Sequence, residues 1–212
     1  MNYSHILWDF NGTLFNDVEA GLCSANVLLK RRNKAILTDI GEYRNLFCFP
    51  ITEYYTRLGL DLRRENFHDL AVEWLEQYHI FSKDAGLYEG ITDVLSIIQG
   101  RGITQIVLSA SERNILLVQL EKLGVLCFFE TVLGLDNIYA NSKVDIVKRW
   151  AEKATPSRAV LIGDTLHDYE VARAVGIDCV LLSGGHQNEK TLCACSAPVL
   201  DNAACLPDFL GL

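Results

Sequence analysis

Ile6-Leu7-Trp8-Asp9-Phe10-Asn11-Gly12-Thr13-Leu14 decides how this chain folds, because it runs from an apolar stretch through a carboxylate into a glycine turn. An apolar run this short, closed by turn residues, reads as a buried strand, and residues 5–10 are assigned to it. Asp9 then stands at the carboxyl edge of the strand, Gly12 permits a tight turn, and Thr13 supplies a hydroxyl. Similar runs recur at residues 104–109, 131–134, 159–162 and 179–182. Between them, residues 91–99, 112–123, 142–153 and 165–175 carry apolar side chains at helical spacing, and Gly100, Gly124 and Gly176 fall where C-terminal caps are expected. Strands alternating with helices predict an α/β fold, a doubly wound parallel sheet covered on both faces with the 5–10 strand at its centre.

Residues 15–85 break this rhythm. They hold no convincing strand but helical patterns at 17–32, 51–58 and 63–83. The expected division is a core of residues 1–14 and 86–212 with an inserted helical cap of residues 15–85. In open parallel sheets ligands bind beyond the carboxyl ends of the strands, so an insertion leaving from the first such end sits over that pocket as a lid.

Composition narrows the functional classes. Half of the 212 residues are hydrophobic, enough for a real core. The net charge is -8, from 27 acidic and 19 basic residues with no basic run, which argues against nucleic acid as a partner. No apolar stretch is long enough to span a bilayer, and the first ten residues lack the basic flank of a secretory signal; no membrane partner and a cytoplasmic address are expected. Seven scattered cysteines without CxxC spacing read as reduced thiols, mostly buried. Monomer and homodimer both stay open.

A second strand end carries the matching chemistry. Leu161-Ile162-Gly163-Asp164-Thr165-Leu166-His167-Asp168 sets one carboxylate at the strand's edge and another four residues on. On parallel neighbours Asp9 and Asp164 would meet, and two carboxylates that close repel unless a cation lies between them. Mg²⁺ is the natural candidate because it prefers hard oxygen ligands and keeps waters for a phosphate to displace. Each residue also has a plain structural reading: Asp9 as a turn cap, Asp168 as an acid suited to a helix's first turn, Lys143 as a solvated lysine, Ser109 as a strand-end hydroxyl. His167 reads as a metal neighbour or an exposed side chain, His79, Arg57 and Arg44 as solvated helix faces or substrate contacts, and Trp8 and Trp74 as core.

DFNGT at residues 9–13, Ser109 in QIVLSAS, Lys143 before a helix and GDTLHD at residues 163–168 resemble, in order, the four motifs of the haloacid dehalogenase superfamily. The segments LYEGITDVLSIIQGRG and GDTLHDYEVARAVG look most like its phosphoglycolate phosphatases. The resemblance implies a Rossmann-like core and an Mg²⁺-dependent phosphatase acting on a small phosphorylated metabolite, phosphoglycolate by analogy. It makes Asp9 the nucleophile that forms an aspartyl-phosphate. Mg²⁺ would be held by the Asp9 side chain, the Asn11 backbone carbonyl and Asp164, with Asp168 ligating or positioning a metal-bound water. Ser109 would hydrogen-bond a phosphoryl oxygen, Lys143 would neutralise nucleophile and phosphate, and backbone N–H groups near Phe10 and Ala110 would complete the cradle.

The chain departs from that pattern at Asn11, where such phosphatases carry a second aspartate that protonates the leaving group and activates water. An amide cannot give or take that proton. The rivals are therefore a phosphate-binding protein with weak or no turnover, a dehalogenase, and a phosphonate hydrolase, which would need a cap lysine such as Lys30, Lys34 or Lys83. A phosphomutase also relies on the second aspartate and is disfavoured.

Overall fold

A computed structural model describes residues 3–136, 143–156 and 158–212. The first apolar run forms β1 (His5–Trp8), after which the chain leaves for α1 (Val18–Arg31), α2 (Ile40–Leu46), α3 (Ile51–Arg57) and α4 (Phe67–Phe81). Alternation resumes with α5 (Ile91–Gly100), β2 (Thr104–Glu112), α6 (Arg113–Lys122), β3 (Thr131–Leu135), α7 (Val144–Ala154), β4 (Ala159–Gly163), α8 (Leu166–Val175) and β5 (Asp178–Leu182). The chain closes with α9 (Glu189–Leu192), β6 (Val199–Leu200) and α10 (Leu206–Leu210).

The six strands form one parallel sheet in the order β3-β2-β1-β4-β5-β6, so β1 lies between β2 and β4. Successive side chains of a strand point to opposite faces, and here both faces are apolar. Ile6 and Trp8 join one buried cluster with Val94, Ile98 and Leu116 from α5 and α6, while Leu7 joins another with Val147 and Val171 from α7 and α8. The helices thus cover both sides of a central β1, the doubly wound arrangement expected.

Residues 15–85 contain α1 to α4 and no strand, and these helices gather around a cluster of their own built on Leu28, Tyr43, Tyr54 and Leu70. The outgoing and returning chains run side by side: the Asn16 N–H donates to the Gly86 carbonyl at 2.8 Å and the Tyr88 N–H to that of Leu14 at 3.0 Å.

Several local expectations differ from the structure. The strand expected at 104–109 runs on to Glu112 with a shift of register against β3 after Leu108. The helix expected from residue 63 begins at Phe67, where the Asn66 side chain accepts from the His68 N–H. α2 has a weak apolar pattern and forms on its cap, with Asp39 accepting from the Glu42 N–H and Glu42 reaching back to the Thr38 N–H. β6, at two residues, is too short for any periodicity to show. Ser142, the expected start of the 142–153 helix, lies outside the described residues. The cysteines are free, but only Cys48 and Cys179 are buried; Cys127, Cys193 and Cys205 are exposed, so the expectation of mostly buried thiols is corrected. Cysteine's apolar character does not oblige it to be buried when helices and turns at the rim offer it space.

Candidate active site

Register brings the candidate residues to one edge of the sheet. Trp8 pairs with Val107 of β2 and Ile162 of β4, so Asp9 and Asp164 follow at the carboxyl ends of β1 and β4, with Ser109 two residues beyond Val107 within β2. The Asp9 N–H continues the ladder to the Ile162 carbonyl at 2.8 Å. Lys143, just before α7, is buried and inserts its ammonium between Asp9 Oδ1 at 2.7 Å and Asp168 Oδ1 at 2.6 Å, which removes the reading of a solvated lysine. The expected helix-start acid, Asp168, is fully buried: its Oδ2 accepts from the Thr165 hydroxyl at 2.7 Å and N–H at 3.1 Å. Asp164 accepts from the Thr13 hydroxyl at 3.1 Å and the His186 N–H at 2.6 Å. Ser109 is buried, and its hydroxyl accepts from the Ser111 N–H at 3.1 Å.

The charges are strongly interdependent. Burial pushes the Asp9 carboxyl well above the usual range, and the neighbouring Asp168 and Asp164 push the same way against the opposing pull of Lys143. Asp164 is raised to about 6, burial again coming first. Asp168 is also buried, but Lys143 outweighs that cost and holds it low. The carboxylates of Asp9, Asp164 and Asp168 each offer an oxygen within 4.8 Å of the others. An all-oxygen cluster in which burial, and then mutual repulsion, raises two members suits a hard dication. Backbone approaches it closely. A Cβ on Gly12, whose φ is +73°, would fall 2.3 Å from Asp164 Oδ2, and one on Gly185 would fall 2.2 Å from the same atom.

Asn11 is held from three sides. Its Nδ2 donates to Asp17 Oδ2 at 2.8 Å and to the Tyr78 hydroxyl at 2.7 Å, and its Oδ1 accepts from the Ser111 hydroxyl at 2.9 Å. Asp17, Tyr78, His186, Tyr43 and Ser111 belong to this site and were not found by sequence reasoning. Asp17 reads locally as the N-cap of α1, yet its side chain makes no cap bond there and turns inward to the Gly12 N–H at 2.8 Å. His186 Nε2 lies 3.3 Å from Asp17 Oδ1, and its Nδ1 bonds the Tyr43 hydroxyl at 2.9 Å. Burial disfavours the charged imidazole, but Asp17 outweighs it and lifts His186 to about 9; burial likewise pushes Asp17 up until His186, Tyr78 and Asn11 together hold it below the usual range. The one sequence hint was the Gly184-Gly185 pair before His186, a loop signal just beyond a strand end.

The same loop ties the helical segment down. Arg44 donates to the carbonyls of Gly184 and Gly185, and Gln187 Nε2 donates to the Phe47 carbonyl at 3.1 Å. Arg44 is thus a docking residue, and Arg57 pairs at the surface with Glu53. His167 stacks on Phe49 at 4.6 Å between ring centres and is largely buried, which corrects the reading of an exposed side chain. Trp8 is fully buried as expected. Trp74 is half-buried and, with His79, Ser109 and Ala110, lines a cavity of about 150 Å³ whose floor is Asp9, Lys143 and Asp164. Lys30, Lys34 and Lys83 are not among the described residues lining it.

A family model described as haloacid dehalogenase-like hydrolase matches residues 6–182. Among curated proteins, the chain is 26% identical over 197 residues to a phosphoglycolate phosphatase of Caulobacter vibrioides, covering 89% of this chain and 83% of that one. It is 26% identical over 133 residues to the pyrophosphatase PpaX of Bacillus pumilus, covering 58% and 61% of the two. A haloacid dehalogenase-like family hydrolase from Streptococcus pneumoniae superimposes with a TM-score of 0.82 at 18% identity, over 98% of each chain, a likeness of fold.

Proposed function

The chain belongs to the haloacid dehalogenase-like hydrolases, and we propose that within them it is an Mg²⁺-dependent phosphatase that cleaves a small phosphomonoester through an aspartyl-phosphate on Asp9. The observation that carries this reading is the Asp9 carboxylate at the floor of the cavity, with Lys143 on one oxygen at 2.7 Å and Asp164 and Asp168 alongside. Residues 15–85 act as the cap over that floor.

Lys143 orients Asp9 through Oδ1, leaving the second carboxylate oxygen to attack phosphorus in line with the ester oxygen. The ester P–O bond breaks as the Asp9 O–P bond forms, and the leaving group departs with the electron pair. Water then attacks the phosphorus of the aspartyl-phosphate as the Asp9 O–P bond breaks; its proton passes to solvent, from which the departed leaving group takes one, so that inorganic phosphate is released and the Asp9 carboxylate is regenerated. Ser109 and the N–H groups near Phe10 and Ala110 hold the phosphoryl oxygens while Lys143 offsets their charge. The oxygens of Asp9 and Asp164, with the Asn11 backbone carbonyl, would hold Mg²⁺, Asp168 fixing Lys143 and the cluster's geometry. When bound, the ion supplies charge stabilisation to the phosphoryl oxygens.

Asn11 supports a second reading, a phosphate-binding protein with little turnover, since its amide is fully engaged and carries no transferable proton. Phosphate release from a panel of phosphomonoesters, with Mg²⁺ and with chelator, separates the two. Release that chelator silences is expected; Mg²⁺-dependent binding without release would favour the second reading.

A further inference from the structure

The wall that the helical segment presents to Asp9 is apolar and aromatic, formed by Phe47, Tyr54, Phe67, Ala71, Trp74 and Leu75. No arginine is among the described residues lining the cavity, and the sole lysine, Lys143, is already engaged by Asp9 and Asp168. Of the imidazoles there, His186 is committed to Asp17, and His79 remains. The acids Asp9, Asp17, Glu112 and Asp164 line the same space. A leaving group carrying a carboxylate or a second phosphate would lose its hydration here beside like charges, with no guanidinium or ammonium to replace the water.

Two polar atoms on this wall do lack a partner. The Tyr54 hydroxyl and Trp74 Nε1 are buried and make no hydrogen bond among the described residues. Burial holds the Tyr54 phenol protonated, so both atoms are neutral donors. The cavity volume of about 150 Å³ is of the order at which a benzene-sized group is accommodated.

Resting on the phosphatase reading above, we propose that the substrate is a monophosphate ester whose leaving group is uncharged, apolar and up to about one ring in size. Phosphorylated acids and diphosphates are poor ligands of this site. The aromatic wall stacks or packs the organic group.

The test uses the full chain with Mg²⁺ and calorimetric titration of two phosphonates that cannot be hydrolysed, benzylphosphonate and phosphonoacetate. Benzylphosphonate is expected to bind at least about tenfold more tightly. Equal affinity, tighter phosphonoacetate binding, or no benzylphosphonate binding at millimolar concentration overturns the proposal. Leu75→Arg, or, if the first does not fold, Ile51→Arg at another residue lining the cavity, sets a guanidinium into the wall and is expected to narrow the ratio by about tenfold; an unchanged ratio in the folded variant counts against the wall as the recognising surface. Phosphate release from benzyl phosphate and 2-phosphoglycolate separates this proposal from the one it rests on. Selective benzylphosphonate binding without release removes the hydrolase reading and leaves the ligand class standing. Faster release from 2-phosphoglycolate removes the ligand class and leaves the hydrolase.

Discussion

The Asn11 side-chain amide donates to the Asp17 carboxylate at 2.8 Å, so the position from which a general acid would serve the leaving group is occupied by a donor matched to a buried anion. Replacing that amide by a carboxyl does two things at once. It introduces a group able to carry a proton, and it sets a second carboxyl against the buried Asp17.

Asn11→Asp is therefore expected to raise turnover of an alkyl phosphate such as benzyl phosphate by roughly a hundred to ten thousandfold, and less for aryl phosphates, whose leaving groups depart without a proton. It should also lower thermal stability. Asn11→Asp/Asp17→Asn should keep the gain and relieve the carboxyl–carboxyl repulsion, but lose the Asp17–His186 pair. Asn11-Gly12 is prone to deamidation, so intact mass must accompany the kinetics. Undeamidated wild type that matches Asn11→Asp on an alkyl phosphate would remove this assignment.

Asp9→Asn is expected to reduce phosphate release by more than about a thousandfold, as loss of a covalent nucleophile does. Lys143 keeps its pair with Asp168, so circular dichroism should show an intact fold. Turnover near the wild-type rate in the folded variant would overturn the mechanism.

Mg²⁺ should raise the melting temperature in the wild type, by the equivalent of about 2.7 kcal/mol at a hundred times the dissociation constant. Asp164→Asn should lose most of that shift, because Asp164 is one of the two carboxylates assigned directly to the ion. An undiminished shift would place the ion elsewhere.

Lys143→Met removes the cation from between two buried carboxylates. In chelator it should cost about 3–5 kcal/mol, the range for breaking a buried ion pair from one side. Part of that loss should return on adding Mg²⁺, which can take over the neutralisation. Denaturant melts with and without the ion measure both effects.

His186 carries a pH prediction. Its folded value is raised from 6.5 to about 9 by Asp17, so its contribution to stability is fully present below pH 6.5 and is lost as pH rises through about 9. In chelator, stability should fall over that window by at most on the order of 3 kcal/mol. His186→Gln should flatten the slope; a variant with the wild-type slope would assign it to another group.

Much of this was legible from local pattern. Short apolar runs and the turns that close them are set by neighbours in sequence, so β1 to β5, the helices between them and the strand-end positions of Asp9 and Asp164 followed from periodicity. The strandless character of residues 15–85 followed too. α2 and β6 escaped because a capped seven-residue helix and a two-residue strand carry too little periodicity to register.

The partners of Asn11 escaped for a different reason. Asp17 has the local character of a helix cap, and Tyr78 and Ser111 lie 67 and 100 residues from Asn11, so no spacing rule links them. Sequence alone determined the alternation of strands and helices and which strand ends carry carboxylates, because those are properties of short segments. Only the tertiary structure decided that Lys143 lies between Asp9 and Asp168, that Asn11 is clamped against a buried anion, and that the helical segment faces the site with an aromatic wall. Those arrangements depend on sheet register and on how distant helices dock, and burial and charged neighbours together then shift the groups they bring together.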